Sequence, residues 1–395
     1  MKQISEIASA VQASTTLKVD ALFKQMKAEG KDVVGFGAGE PDFNTPDNIC
    51  QAAIKAIKDG QTKYTPFNGI PALREAVAAR LKADCGIDYT AGQIVVASGA
   101  KHNIYVALQA LINPGDEVIL PAPYWVTYAE AIRMAGGTVV IVSASESDDF
   151  KITAEQLDAA VTDKTKMFIL NNPSNPTGML YDEDELYALA KICIKHDLYV
   201  LSDEIYYRLL YDGKKFTSFA SLGDDIKERT IVVNGVSKTY AMTGWRIGYT
   251  ASSTKLAEIM GNYLSHSTSS PSTISQIAAV EALNGPQDGI EDMRKVFQER
   301  RNYIYERINA IDGVSCRMPD GAFYVMMNVE KLIGRTLGER VISSSDDFSL
   351  AFLESGLVAV VSCTGFGCDN FVRLTYAASM ETIKEGMDRL ERFVR

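Results

Sequence analysis

The sequence contains few of the residues that build metal sites or histidine-based catalytic triads. Its 395 residues include only three histidines (His102, His196 and His266) and six scattered cysteines, none of which forms a Cys-x-x-Cys pair. Zinc sites and such triads need these residue types in clusters, so neither class of site is expected. Scattered cysteines are typical of reduced thiols in a cytoplasmic protein. We therefore expect chemistry from lysine, aspartate, tyrosine and arginine, or from a cofactor.

Basic charge and long apolar runs are also scarce. Lysine and arginine total 40 against 50 acidic residues, which gives a net charge of -10. Nucleic acids and anionic membranes bind basic faces, so neither is expected as a partner. No apolar run approaches the roughly 18 residues that span a bilayer. Residues 1–19 lack the apolar core of a secretory signal, which also favours a cytoplasmic location.

Short apolar runs alternate with helical patterns over the first three quarters of the chain. This order predicts βαβ crossovers and a mainly parallel sheet that is covered by helices on both faces. The apolar runs that we interpret as strands of this sheet lie at 93–97, 117–120, 138–142, 167–170, 198–201 and 230–233. One long helix is predicted over 288–312, and Asp182 is expected to cap the helix at 182–196. The later pattern mixes strands and helices.

We therefore predict an α/β protein with two domains. The large α/β domain is expected over residues 46–288. A smaller α+β domain is expected to combine residues 1–45 with residues 289–395, where strands are predicted at 323–328 and 371–374 and a helix at 381–394.

Polar residues follow three consecutive strands of the predicted large sheet. Asn175, Asp203 and Lys238 each come after an apolar run. Any one of them alone would be interpreted as an exposed loop residue. Because ligands bind beyond the carboxyl ends of the strands in open α/β sheets, the three together favour one shared site.

A second candidate site lies at Gly99-Ala100-Lys101, at the start of a predicted helix. Small residues at a helix start leave backbone N–H groups free to bind an anion such as a phosphate. Lys101 stands at the positive end of the helix dipole, where a nearby anion would stabilise it. Its position alone is equally consistent with a solvated surface lysine.

The strongest motif is the run from Gly235 to Gly248, GVSKTYAMTGWRIG. It places Lys238 among small residues and Arg246 eight residues later. A lysine that forms Schiff bases needs a lowered pKa, which burial or a neighbouring cation provides. The run resembles the lysine-attachment signature of class I aminotransferases, the fold-type-I pyridoxal-phosphate enzymes. The resemblance extends from Gly37 to Arg373 and is closest to the bacterial branch that contains aspartate aminotransferases.

This resemblance implies a cofactor site for pyridoxal 5'-phosphate. Lys238 resembles the Schiff-base lysine, which also moves the proton between the substrate's α-carbon and the cofactor. Asp203 resembles the carboxylate that pairs with the pyridinium nitrogen, Asn175 and Tyr206 resemble donors to the phenolic oxygen, and Trp125 resembles the ring stacked on the pyridine. The resemblance also implies a phosphate cup that includes a phenol from the neighbouring subunit of a homodimer with shared active sites: Gly99, Ala100, Ser237, Arg246 and Tyr64.

The resemblance further implies a substrate site. Arg373 resembles the clamp for the α-carboxylate of the substrate, Gly39 would present its N–H to the same carboxylate, and Lys101 resembles a lysine that binds a distal carboxylate. Trp125 and Asn175 are expected to border the substrate as well. The sequence departs from many relatives in two places. Ala100 replaces a hydroxyl residue, and Ser362-Cys363 stands where Pro-Gly is frequent.

The implied activity is ping-pong transamination between an L-amino acid, with aspartate expected, and 2-oxoglutarate. In this scheme the smaller domain closes over the substrate. A pyridoxal-phosphate C–S lyase of the cystathionine type and an aromatic or prephenate-type aminotransferase share the fold and remain alternatives. Lys101 favours dicarboxylic substrates. A regulatory module on the same scaffold would carry an added DNA-binding domain, which is not expected here.

Overall fold

The computed structural model describes residues 3–11 and 16–395. The strands, in chain order, are β1 Val34–Gly35, β2 Ile94–Ala97, β3 Glu117–Ala122, β4 Thr138–Ser143, β5 Thr165–Asn171, β6 Tyr199–Asp203, β7 Thr230–Gly235, β8 Gly248–Ala251, β9 Ser315–Cys316, β10 Tyr324–Asn328, β11 Thr336–Leu337, β12 Arg340–Val341, β13 Val358–Ala359, β14 Val361–Ser362 and β15 Phe371–Thr375.

The helices, in chain order, are α1 Glu6–Ala10, α2 Thr16–Ala28, α3 Asp47–Lys58, α4 Pro71–Cys85, α5 Ala100–Leu111, α6 Thr127–Met134, α7 Ala154–Ala160, α8 Glu183–Lys195, α9 Asp224–Arg229, α10 Thr254–His266, α11 Thr273–Asn284, α12 Asp288–Asn309, α13 Ser345–Glu354 and α14 Met380–Val394. No helix within the described residues is long and apolar enough to cross a membrane.

A large mixed sheet occupies the middle of the chain. Its strand order is β2-β8-β7-β6-β5-β3-β4. The pairs from β7 to β4 are parallel, whereas β8 is antiparallel to both of its neighbours. Every residue of β2 and β7 is buried because helices cover both faces of the sheet. The predicted mixed, mainly parallel sheet is confirmed.

A second, antiparallel sheet has the order β14-β15-β10-β9 and packs against α12 and α13. The N-terminal segment joins this part of the molecule, because β1 pairs with β13 and Thr375 donates its N–H to the carbonyl of Phe36 at 2.9 Å. We propose that the two sheets mark the predicted domains, 46–288 and 1–45 with 289–395. Residues 1–2 and 12–15 of the smaller domain lie outside the described residues.

Local signals explain where two of the predicted helices begin and end. Asp182 caps α8 as predicted, since its side chain accepts the N–H of Glu185 at 2.8 Å. The predicted end of the helix at 312 is wrong by three residues, because α12 ends at Asn309. The chain then turns through Gly313, which has a φ of 95°.

Candidate active site

A cleft of about 1090 Å³ opens at the carboxyl ends of β5, β6 and β7, where the large sheet faces the antiparallel sheet. The predicted site residues that line it are Gly39, Ala100, Lys101, Trp125, Asn175, Asp203, Tyr206, Ser237, Lys238, Arg246 and Arg373. Gly99 lies directly behind this lining, at the start of α5. Tyr64 does not line the cleft. Positions spread over more than 300 residues of the sequence therefore meet in one place.

Lys238 follows β7 and lies at the floor of the cleft. Its Nζ donates a hydrogen bond to the carbonyl oxygen of Gly39. Burial lowers the pKa of Lys238 to about 8, with Arg246 lowering it further and the charge of Glu40 opposing the change. A substantial fraction of the amine is therefore neutral near physiological pH, which is the form that attacks a carbonyl carbon.

Asp203 ends β6 and is 3% exposed. Its Oδ2 accepts a hydrogen bond from the Tyr128 hydroxyl at 2.6 Å, and its Oδ1 accepts the N–H of Ile205 at 3.2 Å. Burial raises the pKa of Asp203 to about 6, while these two hydrogen bonds and the charge of Lys238 limit the rise. At neutral pH the side chain is a buried carboxylate that can accept a hydrogen bond from a protonated, cationic ring nitrogen and so keep the proton there.

Tyr128 was missed by the sequence analysis. Its ring also packs edge-on against Trp125, with 5.4 Å between the centroids and 85° between the planes. Tyr128 therefore contacts both Asp203, which is expected to pair with the ring nitrogen of the cofactor, and Trp125, which is expected to stack on the face of that ring. The signal was local, because Tyr128 lies three residues after Trp125 and the N–H of Tyr128 bonds back to the carbonyl of Trp125 at 3.0 Å.

The start of α5 and Arg246 lie together in a geometry that suits the binding of an anion. Gly99 caps the helix at a φ of 88°, and a Cβ at this position would lie 2.4 Å from an Arg246 guanidinium nitrogen. Gly248 allows an equally close approach between its own backbone and that of Ala100, since a Cβ added at Gly248 would lie 2.2 Å from the Ala100 nitrogen. The first N–H groups of a helix have no partner within it, so a cation beside them favours a phosphate.

Arg373 lies in β15 and is 6% exposed. It donates to Asn175 Oδ1 at 3.0 Å and to the Gly37 carbonyl at 3.1 Å, and its buried Nε has no hydrogen-bond partner. In the described part of the chain, no carboxylate lies within ion-pair distance of this guanidinium. A buried cation without a counter-ion is costly, and a bound carboxylate would remove that cost.

Lys101 borders the cleft, with its Nζ 4.9 Å from the centroid of the Trp125 ring. Partial burial, and then the charge of Arg246, lower the pKa of Lys101. The side chain is exposed to solvent and also borders the cleft, so its ammonium group is available to a ligand in the site.

Tyr206 and Tyr324 form a buried pair, with 3.1 Å between their hydroxyl oxygens. Tyr324 also lies under Arg373, with 4.5 Å between the guanidinium carbon and the ring centroid. Sequence reasoning missed Tyr324 because it comes from β10, 118 residues away from Tyr206, and no local motif marks it. It connects the expected cofactor and substrate ends of the cleft.

Comparison with known proteins decides the family. Residues 31–390 match the family described as aminotransferase class I and II. The chain belongs to the class I and II aminotransferases. It is 48% identical to the aspartate aminotransferase of Bacillus sp. (strain YM-2), covering 97% of this chain and 96% of the relative. It is 46% identical to a probable aspartate/prephenate aminotransferase of Rhizobium leguminosarum bv. phaseoli, covering 100% and 99%.

The fold agrees with this membership. The structure of the aspartate aminotransferase from Rhizobium meliloti superposes with a TM-score of 0.97 at 41% identity, covering 100% of this chain and 99% of that one. The chain is thus a fold-type-I aminotransferase that depends on pyridoxal phosphate. Its cleft fits that cofactor, because an amine, a buried carboxylate and a glycine-lined anion site surround one cavity.

Proposed function

We propose that this aminotransferase moves the amino group between aspartate and 2-oxoglutarate. The observation that carries the proposal is Arg373, a buried guanidinium that lines the cleft of Lys238 and has no carboxylate partner among the described residues. Every α-amino acid and 2-oxo acid has a carboxylate for this site. Lys101, a second cation at the same cleft, favours a second carboxylate on the substrate. The names of the relatives support the same choice.

Each group of residues in the cleft would have its own role in the reaction. Pyridoxal phosphate, when bound, supplies an electron sink for the α-carbon of the substrate. Lys238 Nζ would hold the cofactor and carry the proton removed from the α-carbon. Asp203, oriented by Tyr128, would keep a proton on the ring nitrogen, and Arg246 with the start of α5 would bind the phosphate. The remaining residues would orient the cofactor ring and the substrate. They are Trp125, Asn175, Tyr206, Ser237, Gly39 and Arg373.

Replacing Lys238 tests the chemical role. Lys238→Ala should reduce transamination of aspartate by at least about 10³-fold, because both the anchor and the proton carrier are lost. Lys295→Ala, on the exposed face of α12, is the matched control and should retain full turnover. Full turnover by Lys238→Ala would disprove the assignment.

Replacing the two cations tests the substrate assignment. Arg373→Leu should raise the KM for aspartate and for 2-oxoglutarate by about 10²-fold, since a charged hydrogen-bonded pair is lost. Lys101→Ala should reduce kcat/KM for aspartate more than for alanine, which has no distal carboxylate. Arg317→Leu, which removes a surface cation paired with Asp149, is the control. Equal losses for aspartate and alanine in Lys101→Ala would contradict a dicarboxylate site.

Prephenate is a second candidate amino acceptor, because the relative from Rhizobium leguminosarum is named a probable aspartate/prephenate aminotransferase. A kcat/KM for prephenate comparable to that for 2-oxoglutarate would establish this broader activity. The C–S lyase alternative is less favoured, since the relatives named above are aminotransferases. Release of pyruvate and ammonia from cystathionine, without a requirement for an oxo acid, would revive it.

We further propose a homodimer in which Tyr64 serves the active site of the partner. Tyr64 is 99% exposed and lies outside the cleft of its own chain, which fits a residue that acts on a second chain. Mixing Lys238→Ala chains with Tyr64→Ala chains tests this arrangement. A hybrid dimer would contain one site with both native residues, so activity should exceed that of either parent. No gain on mixing would mean that Tyr64 acts within its own chain or has no role.

A cytoplasmic location is also proposed. All six cysteines lie among the described residues and carry free thiols, as expected in a reducing compartment. Burial holds the pKa of Cys193 and Cys316 at about 12, so these thiols are chemically inert. Cell fractionation with detection of the native protein tests the location, and enrichment outside the cytoplasm would contradict it.

A further inference from the structure

The loop between β14 and β15 closes the substrate end of the cleft. Thr364, Gly365 and Phe366 line the cavity, and the Phe366 ring lies 5.2 Å from the guanidinium carbon of Arg373. The carbonyl of Phe366 accepts the N–H of Tyr124 at 3.0 Å, next to Trp125. This loop therefore contacts both the proposed carboxylate site and the segment that carries the expected stacking ring.

A compact group of polar side chains anchors this loop to α13. The Ser345 hydroxyl, fully buried at the start of the helix, lies 3.0 Å from Ser362 Oγ and 3.1 Å from Thr364 Oγ1, and donates to Asp369 Oδ1 at 2.9 Å. We call Ser345, Ser362, Thr364 and Asp369 the Ser345 cluster. Its members come from α13, from the end of β14 and from both sides of the loop.

The cluster is electrostatically suited to hold the loop. Asp369 Oδ1 also accepts the N–H of Asn370 at 2.9 Å, and the carboxylate stands at the positive end of the α13 dipole. The hydrogen bonds from Asn370 and Ser345 hold the pKa of Asp369 below its usual value against the effect of burial. Ser362, one of the two departures noted in the sequence, supplies a hydroxyl that proline or glycine would lack.

We propose that the Ser345 cluster is the device that positions the substrate end of the site. It holds the loop so that Phe366 stays against Arg373, and it thereby sets the affinity for amino acids and oxo acids. The inference rests on the proposed function, because it requires Arg373 to bind the substrate carboxylate. Ser345 contacts the loop and Asp369 belongs to it, and neither lines the cleft, so they are positioning residues.

A pair of serine variants on one helix tests the proposal. Ser345→Ala should raise the KM for aspartate and the dissociation constant of the unreactive dicarboxylate succinate by about tenfold, with kcat and the affinity for pyridoxal phosphate unchanged. Ser349→Ala is the matched control, because Ser349 is an equally buried hydroxyl of α13 that donates to the Ser345 carbonyl at 2.9 Å and bonds to no side chain of the Ser345 cluster within the described residues. It should behave like the wild type.

Asp369 gives a second, independent pair of variants on the exposed side of the cluster. Asp369→Ala should reproduce the rise in KM. Asp369→Asn keeps an oxygen that can accept from Ser345 and Asn370, so it should lie close to the wild type. This pair keeps the test decisive if Ser345→Ala does not fold.

The outcomes separate this inference from the proposed function. If the wild type uses aspartate but Ser345→Ala matches Ser349→Ala and Asp369→Ala matches the wild type, the positioning role is wrong. If kcat and the affinity for pyridoxal phosphate fall by as much as KM rises, the cluster has a general structural role. That result would also overturn the positioning role. If the wild-type holoenzyme neither uses aspartate nor binds succinate, the proposed function itself fails.

Discussion

Lys238 and its charged neighbours set the reactivity of the site at the scale of single residues. The pKa of Lys238 is about 8 because burial opposes the charged form, and Arg246 and Arg373 act in the same direction. The charge of Glu40 acts against them. The proton affinity of the lysine is therefore adjusted by the residues proposed to bind the phosphate and the substrate, and by two acids, Glu40 and Asp203, that act in the opposite direction.

Capture of pyridoxal phosphate by the cofactor-free protein should accelerate as the pH rises through about 8, since the neutral amine reacts. Glu40→Gln removes the negative charge that favours the ammonium form but keeps an acceptor for the Thr243 hydroxyl, now at 2.6 Å. Its rate profile should shift to lower pH. Glu75→Gln, on the exposed face of α4, is the control. Superimposable profiles for Glu40→Gln and the wild type would contradict this account of the lysine.

Tyr128 should matter for catalysis through its hydrogen bond to Asp203. Tyr128→Phe removes the hydrogen bond to Asp203 Oδ2 and should lower kcat/KM by about 10- to 100-fold, the usual effect of a hydrogen bond to a charged group. Tyr211→Phe, which removes a buried hydroxyl that donates to the Ala322 carbonyl, should affect stability alone. Steady-state kinetics with titration of the cofactor distinguishes the two. An unchanged kcat/KM in Tyr128→Phe would remove Tyr128 from the site.

The sequence revealed residues that stand in recognisable local motifs, and it missed Tyr324, which long-range packing brings to the site. Lys238 and Arg246 share one run, and Asp203 directly follows an apolar strand, so a local pattern marked each of them. Tyr324 reaches the site only because β10 lies beside β15 in the antiparallel sheet. Its register is set by pairing between distant segments, which no single window of sequence encodes.

At the scale of secondary-structure elements, the approach of β8 to α5 shapes the phosphate site. β8 was not predicted, because its four residues, GYTA, contain glycine and threonine and do not form an apolar run like the IVVA of β2. Its first residue, Gly248, allows the backbone to pass against Ala100, and Arg246 just before it reaches Gly99. A glycine is required at both contacts, since a Cβ would occupy the space of the neighbouring atoms.

Gly99→Ala should therefore weaken the binding of the phosphate. The added Cβ would collide with Arg246, and a φ of 88° is strained for alanine. Affinity for pyridoxal phosphate should fall by about tenfold or more, whereas affinity for pyridoxal, which has no phosphate, should change little. Gly115→Ala is the matched control, with a φ of 93° and open space around the Cβ. Equal losses for both ligands would show that the anion site lies elsewhere.

At the scale of the whole molecule, buried acids make folding depend on pH. Glu204 is fully buried, and its Oε1 accepts from Ser202, Ser218 and Phe219 at 2.9, 2.8 and 3.2 Å, while Oε2 has no partner. Burial raises the pKa of Glu204 from 4.5 to about 7. The folded chain thus keeps a proton that the unfolded chain has released. The contribution of Glu204 to the free energy of unfolding is therefore full below about pH 4.5, and it is lost as the pH rises through 7.

Glu204→Gln should reduce this loss in the cofactor-free protein. Between pH 5 and pH 8 the wild type should lose on the order of 3 kcal/mol of unfolding free energy from Glu204, which the neutral amide does not lose. Denaturant unfolding at several pH values measures the difference, with Glu299→Gln on α12 as the control. A wild-type stability that rises over this range, or an identical slope in Glu204→Gln, would contradict the burial argument.

We propose that one site takes an amino group from aspartate and transfers it to an oxo acid. The most direct measurement adds substrates singly to the purified holoenzyme and follows the visible absorbance of its bound cofactor. Aspartate should remove that absorbance with release of one oxaloacetate per site, and added 2-oxoglutarate should restore it with formation of glutamate. If the absorbance persists in the presence of aspartate, or if 2-oxoglutarate does not restore it, transamination between aspartate and 2-oxoglutarate is ruled out.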